Sequence, residues 1–307
     1  MIELAIMIEG QNGLNWPRWQ RLATTVADLG FAGLYRSDHF TNASPPDKDS
    51  LELWVSLTWL ASHTRRIEFG PLVTPISFRH PALTARMAAA VDDLSGGRLT
   101  LGLGAGWQER EHRAFGFDLL EMRSRMQRFA EGVEVIHLLL TSQAPVTFTG
   151  RFFQLREAIL LPRPARPGGP PILIGGSGLK RTLPLAARFA AQWNCIQLPP
   201  ARFQEVNRYF DELLRQAGRD PATVRRTMMT GCLFARDEAR LAEKVAERTR
   251  GERTAADLRQ RGVIVGTPSQ IREQLQALEQ AGVQRVMLQW LDLDDLEGLE
   301  ALAKLIH

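Results

Sequence analysis

Short apolar runs alternate with longer helix-period segments eight times along this chain, and that alternation limits the fold more than any other feature. The runs are Leu4 to Ile8, Gly33 to Arg36, Arg66 to Gly70, Leu99 to Leu103, Ile172 to Ile174, Gln192 to Ile196, Arg225 to Phe234 and Arg285 to Gln289. Between them lie segments with apolar residues at helical spacing. Trp16 to Leu29 places Leu22, Val26 and Leu29 on one face and stops at Gly30. Further helices are expected near Leu51 to His63, Pro81 to Asp93, Met122 to Leu140, Leu179 to Ala191, after Pro200, from Leu241, from Thr267 to Ala281, and from Leu296 to Ile306. A strand followed by a helix re-enters the sheet at the same end, so neighbouring strands pair in parallel. Eight such units close into a barrel, and the strand count favours that over an open doubly wound sheet. The expected fold class is therefore α/β, a (β/α)8 TIM barrel formed by residues 1–307 as one domain. An insertion is expected at about 142–170, where Pro, Thr, Phe and Gly accumulate without helical periodicity.

Composition removes several classes of function. A formal charge of +4 over 307 residues is small. The basic residues are scattered among acids, so no nucleic-acid partner and only weak general attraction for anionic ligands are expected. Two cysteines, Cys195 and Cys232, build no disulfide framework and fit buried strand positions in a reducing cytoplasm. The run from Met1 to Met7 enters a strand pattern with no basic leader or cleavage site, and no stretch of about 18 apolar residues suggests a membrane span. The six histidines form no closely spaced pair and no Cys-x-x-Cys occurs, so no metal is expected. A Gly-x-Ser-x-Gly elbow and a phosphate-binding Gly-x-x-x-x-Gly-Lys motif are also absent.

In a barrel, chemistry belongs to the loops after the strands, and four of these stand out. Ser37-Asp38-His39 sets an acid beside a histidine, a pair able to orient a ring or move a proton, or simply to form a capped turn. Gly70-Pro71-Leu72-Val73-Thr74-Pro75 reads as a fixed bend at a strand end, which could back a flat ring or merely let the strand exit. Gly102-Leu103-Gly104-Ala105-Gly106-Trp107 allows a planar ligand close to the backbone, with Trp107 as a stacking wall or a packing residue. Ile174-Gly175-Gly176-Ser177-Gly178 leads into a helix start with Lys180, Arg181 and Thr182. Free N–H groups and a helix dipole there suit a phosphate; a flexible loop is the plain alternative. Asp92 and Asp93 belong to a helix-to-strand turn rather than to a catalytic pair.

Taken in order, these segments resemble the bacterial luciferase-like monooxygenase superfamily, and within it the coenzyme F420-dependent oxidoreductases. The resemblance covers nearly the whole chain. It rests on Leu29-Gly30-Phe31, Ser37 to Phe40, Arg79 to Ala82, Asp93 to Arg98 leading into Gly102 to Trp107, Glu111 to Gly116, Ile174 to Gly178, Trp193-Asn194, Gly266-Thr267-Pro268 and Ala281-Gly282-Val283. It implies a barrel with insertions, a homodimer, a small-molecule substrate, and a ring system lying over a third-strand bulge that often holds a non-prolyl cis peptide. By that likeness Gly70, Leu72, Val73 and Thr74 back the ring, with Gly104 and Gly106 beside it. Gly175, Gly176, Ser177 and Gly178 receive the phosphate, with Arg181 and Thr182 in support. Asp38 and His39 match a pair near the cofactor, with His39 the candidate for proton transfer and Glu9 a second candidate at the same mouth. A sugar-phosphate dehydrogenase branch carries a catalytic Glu where this chain has Trp107, which suggests a more apolar substrate pocket here. The cofactor implied is coenzyme F420; FMN, with oxygen and a separate cofactor reductase, is the alternative, and a non-catalytic flavin-binding barrel stands as a third reading.

Overall fold

The computed structural model describes residues 2–305 and contains the eight units. β1 (Glu3–Ile8) leads to α1 (Trp16–Asp28) and β2 (Gly33–Arg36) to α2 (Leu53–His63). The third barrel strand is split into β3 (Glu68–Pro71) and β4 (Thr74–Pro75), ahead of α3 (Pro81–Ser95). β5 (Leu101–Gly104) precedes the short α4 (Glu109–Phe115) and the long α5 (Met122–Thr141), after which β6 (Val146–Thr149) and β7 (Gln154–Ala158) pair as an antiparallel hairpin. There follow β8 (Ile172–Gly175), α6 (Thr182–Phe189), β9 (Gln192–Ile196), α7 (Pro200–Gln216), β10 (Arg225–Phe234), α8 (Glu238–Thr249) and α9 (Ala255–Gln260). The chain ends with β11 (Ile264–Gly266), α10 (Pro268–Gln280), β12 (Arg285–Gln289) and α11 (Leu296–Ala303).

Local chemistry explains the boundaries. Asn15 caps α1 through its side chain, Pro81 opens α3 where a missing N–H is harmless, and Gly96 closes α3 in the left-handed region. Pairing runs β3–β2–β1–β12–β10–β9–β8–β5–β4. The ring closes where Phe69 donates its N–H to the Arg98 carbonyl at 3.1 Å and accepts from the Thr100 N–H at 2.8 Å. Gly70 and Gly102 make this seam possible: a Cβ on Gly70 would stand 1.9 Å from the Thr100 carbonyl oxygen, and one on Gly102 2.1 Å from that of Pro71.

Strand alternation divides the core in two. Leu4, Ile6 and Ile8 of β1 pack outward with the helices, whereas Ala5 and Met7 join Tyr35, Leu72, Leu173 and Met287 inside the barrel. The base is closed by charge. Arg285, 1% exposed, donates to the Tyr35 hydroxyl and Glu68 at 2.7 Å and to Glu3 at 2.6 Å, and Arg225 also pairs with Glu3. Burial pushes the Tyr35 hydroxyl above its ordinary pKa despite the facing Arg285. Burial disfavours the charged form of Arg285, but its partners prevail and its pKa is raised.

One expectation is corrected. The helix expected from Leu179 begins at Thr182, because the Gly178 carbonyl receives the N–H groups of Thr182 and Leu183 and regular winding starts only there. Within the expected insertion at 142–170, Glu131 of α5 accepts the N–H groups of Arg151, Phe152 and Phe153, holding the turn of the β6–β7 hairpin. Cys195 is buried in β9 and Cys232 half-buried in β10; burial pushes both thiols up, that of Cys232 to about 12.

The seam carries a prediction. Gly70→Ala forces β3 and β5 apart and is expected to destabilise the fold by about 2–3 kcal/mol, read as a lowered denaturant midpoint. An unchanged midpoint would contradict the close strand approach.

Candidate active site

A cavity of about 420 Å³ opens at the C-terminal ends of the strands. Its back is the break in the third barrel strand, where the Leu72–Val73 peptide is cis. Val73 projects between the glycines that end β5 and β8: a Cβ on Gly104 would come 2.4 Å from a Val73 methyl, and one on Gly175 3.1 Å from the other. Any larger residue at Gly104 would push Val73 out of this slot.

Beneath the break lies a brace. Asp38 is 6% exposed; its Oδ2 accepts from the Thr74 hydroxyl at 2.7 Å and from Arg79 Nη1 at 2.5 Å, and Arg79 reaches on to Glu52 at 3.0 Å. Asp38, Gly70 and Thr74 therefore lie behind the cavity wall and set its shape. Glu9, His39, Leu72, Val73, Gly104, Gly106, Trp107 and Gly175 line the cavity itself.

His39 does not act alone. Its Nδ1 lies 2.8 Å from Oε1 of Glu111, whose Oε2 accepts the Phe40 N–H at 3.0 Å. Glu111 is 1% exposed and comes from α4. Both oxygens being acceptors, Nδ1 carries the proton and Nε2 is left without a protein partner among the described residues. Burial alone would lower the His39 pKa, but the hydrogen bond and charge of Glu111, with Glu9 and Asp38 behind, leave it raised. The Trp107 indole meets the His39 ring edge-on at 5.6 Å and is 60% exposed, so it forms the rim.

Glu9 faces the same space. Its Oε1 accepts from Gln289 at 2.6 Å and its Oε2 from Gln11 at 3.0 Å, while the Ser37 hydroxyl donates to Gln11 at 2.7 Å. Under the Trp107 turn, Gly106 at φ +84° leaves room for His112, whose Nε2 meets the Ser77 hydroxyl at 2.8 Å; burial lowers the pKa of this histidine, so it serves as a neutral support.

At one edge of the cavity the loop after β8 offers a seat for an anion. The Gly176 N–H is used by the Asn194 carbonyl, and the Gly176 carbonyl accepts the Trp193 indole N–H at 2.9 Å, which fixes the loop. The N–H groups from Ser177 to Arg181 have no backbone partner among the described residues, and the Ser177 hydroxyl is buried with none at all. A buried hydroxyl without a partner beside open, solvent-facing N–H groups suits an anionic ligand. Gly178 and Thr182 flank them, and Arg181 holds the Met122 carbonyl at 3.2 Å rather than pointing free. No group of three His, Cys, Asp or Glu residues able to hold a metal occurs among the described residues, and no described helix is long and apolar enough to cross a membrane.

Sequence reasoning assigned no role to Glu111, Gln11, Ser37, Asn194, Ile196 or Met229, all of which line the cavity. Glu111 lay within a quoted motif, but α4 has only seven residues and shows too little periodicity to reveal which way an acid points.

Comparison with known proteins identifies the family. The family model described as luciferase-like monooxygenase matches residues 5–285. A 4-hydroxyprotoasukamycin monooxygenase of Streptomyces nodosus subsp. asukaensis is 34% identical over 61% of this chain and 49% of its own length. An F420-dependent hydroxymycolic acid dehydrogenase of Mycobacterium tuberculosis is 32% identical over 66% of this chain and 55% of its own. The chain thus spans about half the length of the curated relatives it matches. In three dimensions, an F420-dependent secondary alcohol dehydrogenase solved with an F420–acetone adduct superposes with a TM-score of 0.85 at 19% identity, over 99% of this chain and 98% of that one.

The His39–Glu111 contact fixes a pH dependence. Because the folded-state pKa of His39 is raised, the pair stabilises the protein fully below about pH 6.5, and that contribution is lost as pH rises through the folded-state value. Glu111→Gln is expected to lower the His39 pKa, followed through its ring-proton NMR shifts, and to destabilise the fold more under mildly acidic than under alkaline conditions. An unmoved titration would break the assignment of the dyad.

Proposed function

Because this chain belongs to the luciferase-like monooxygenase family, we propose that it is an oxidoreductase holding a deazaflavin, coenzyme F420, in the mouth cavity and passing hydride between it and a small organic substrate. The observation that carries this reading is the buried, unpartnered Ser177 hydroxyl with the free N–H groups beside it, at the edge of a cavity backed by Val73. A phosphate fits those donors, and a flat ring fits a wall of Leu72, Val73 and glycine-ended strands. Relatives named as F420-dependent support the choice of cofactor. When bound, a deazaflavin supplies a hydride donor or acceptor at a ring carbon.

The protein's own part is positioning and proton handling. Val73 and Leu72 give the ring a floor, and the Ser177 loop anchors its phosphate. Trp107 shields the reacting face from water. His39, its pKa raised by the hydrogen bond and charge of Glu111, offers Nε2 to a developing oxyanion or takes its proton in the reverse direction. Glu9, held by two amide donors, supplies negative charge on the other side of the mouth.

A second reading has support from the monooxygenase relative: FMN carries a similar ring and a phosphate on a ribityl chain, and would use oxygen with a separate reductase. Titration decides between them. The deazaflavin is expected to bind with quenching of its fluorescence; tight FMN binding without that quenching would replace the proposed cofactor. Ser177→Ala is expected to weaken cofactor binding by about 1 kcal/mol, or several-fold. His39→Ala is expected to leave cofactor affinity nearly unchanged and to reduce kcat by about 100- to 10,000-fold.

A further inference from the structure

Asn194 stands apart from the hydrogen bonds that organise the mouth. Ser37, Gln11 and Glu9 are tied to one another, and so are His39 and Glu111. Asn194 bonds to none of these among the described residues. It lines the cavity with Met7 and Met229 and is only 2% exposed.

Its amide has a fixed direction. Nδ2 donates to the Thr227 hydroxyl at 2.9 Å and to Sδ of Met287 at 3.4 Å. A thioether sulfur only accepts, so the amide hydrogens are committed on that side and Oδ1 is turned away. The Thr227 hydroxyl gives its own hydrogen to the Trp193 carbonyl at 3.2 Å, which leaves its oxygen for Asn194. Oδ1 has no partner among the described residues and opens on the cavity. Water can serve this oxygen while the cavity is wet. Once a flat ring displaces that water, the ligand must bring a donor, because an unpaired buried acceptor is costly.

The backbone says where that donor lies. Asn194 pairs with Gly175 in strand register, and its carbonyl accepts the Gly176 N–H at 2.8 Å. Val73 meets Gly175 from the other side, where it lies between Gly104 and Gly175. The order around the barrel is therefore Val73, Gly175, Asn194, with the Ser177 loop leaving from Gly175. Whatever joins a ring on Val73 to a phosphate at Ser177 must cross the end of β8, about 4.8 Å from β9. In flavins and deazaflavins alike that stretch is a ribityl chain, whose hydroxyl groups can donate.

We propose that Asn194 Oδ1 accepts a hydroxyl of this chain, so that the site recognises the linker as well as the ring and the phosphate. The proposal rests on the reading of the mouth as a ring-and-phosphate site. An amide that can only accept suits a hydroxyl and gives nothing to the ring carbonyls.

Two ligand series separate the parts: a deazaflavin ring bearing ribityl phosphate, bare ribityl or a methyl group, and the matching flavins FMN, riboflavin and lumiflavin. Dissociation constants are read from fluorescence quenching with the wild type, Asn194→Leu and Ser177→Ala. In the series that binds the wild type, Asn194→Leu is expected to weaken both ribityl forms by about three- to tenfold and to leave the methyl form unchanged. Ser177→Ala is expected to weaken the phosphate form alone. Thermal unfolding checks the fold of Asn194→Leu. Thr227→Val, which keeps Asn194 but frees its amide to turn, is expected to show the same selectivity with a smaller loss. An equal loss for the methyl form puts Oδ1 on the ring and overturns the proposal, as does undiminished binding of the ribityl forms. Where a series binds the wild type and Asn194→Leu changes nothing, the linker contact alone falls. Where neither series binds, the ring-and-phosphate reading falls and takes the linker contact with it.

Discussion

The placement of Val73 is the constraint on which the rest of the mouth depends. A barrel strand that ran on without interruption past Pro71 would keep its alternation and leave no ledge. Here pairing stops after Pro71 and resumes at Thr74, and the intervening side chain enters a slot between β5 and β8. That slot exists only because both strands end in glycine. Asp38 then gathers Thr74 and Arg79 from behind, so the ledge is tied to the loop that carries His39. Ring wall and proton-handling residue are thus two faces of one braced unit.

The two ends of the barrel solve opposite electrostatic problems. At the base, Arg285 is surrounded by Glu3, Glu68 and Tyr35, and every charge has a partner. Burying such a cluster is tolerable only when the hydrogen bonds are complete. At the mouth, the donors of the Ser177 loop and the Nε2 of His39 are left open, while their supports are satisfied: Glu111 by His39 and Phe40, Glu9 by Gln11 and Gln289. A charge cluster whose ions are all paired at the base, against open donors at the mouth, is what separates a structural cluster from a binding site.

Much of this was legible in the sequence because parallel strands in a barrel are apolar on both faces and read as short continuous runs. The Gly-rich strand ends were legible for the same kind of reason: glycine has few other uses at the end of a buried strand. What periodicity could not reveal were contacts between loops. Glu111 comes from a seven-residue helix, and its partner is 72 positions earlier. Asp38 reads as a site residue beside His39, yet in strand register its neighbour faces the cavity while it turns behind the wall to Thr74. Hydrophobic spacing continues back through Leu179 and extends the apparent α6 beyond its true start, because the helical hydrogen bonds begin from the Gly178 carbonyl.

The position of Trp107 gives these contacts a chemical direction. The resemblance to the sugar-phosphate branch would put an acid there; with an indole instead, the proposed function assigns proton transfer at the mouth to His39. Glu111 is buried and offers only acceptors, so it favours the charged imidazole and raises its pKa. A histidine so held is more often protonated at neutral pH than a free one, and a protonated Nε2 donates rather than accepts. Such a group suits reduction of a carbonyl, where negative charge develops on oxygen, better than oxidation of an alcohol, which needs a base. The same charge would draw an anionic substrate towards the mouth, but His39 and its carboxylate are nearly self-compensating.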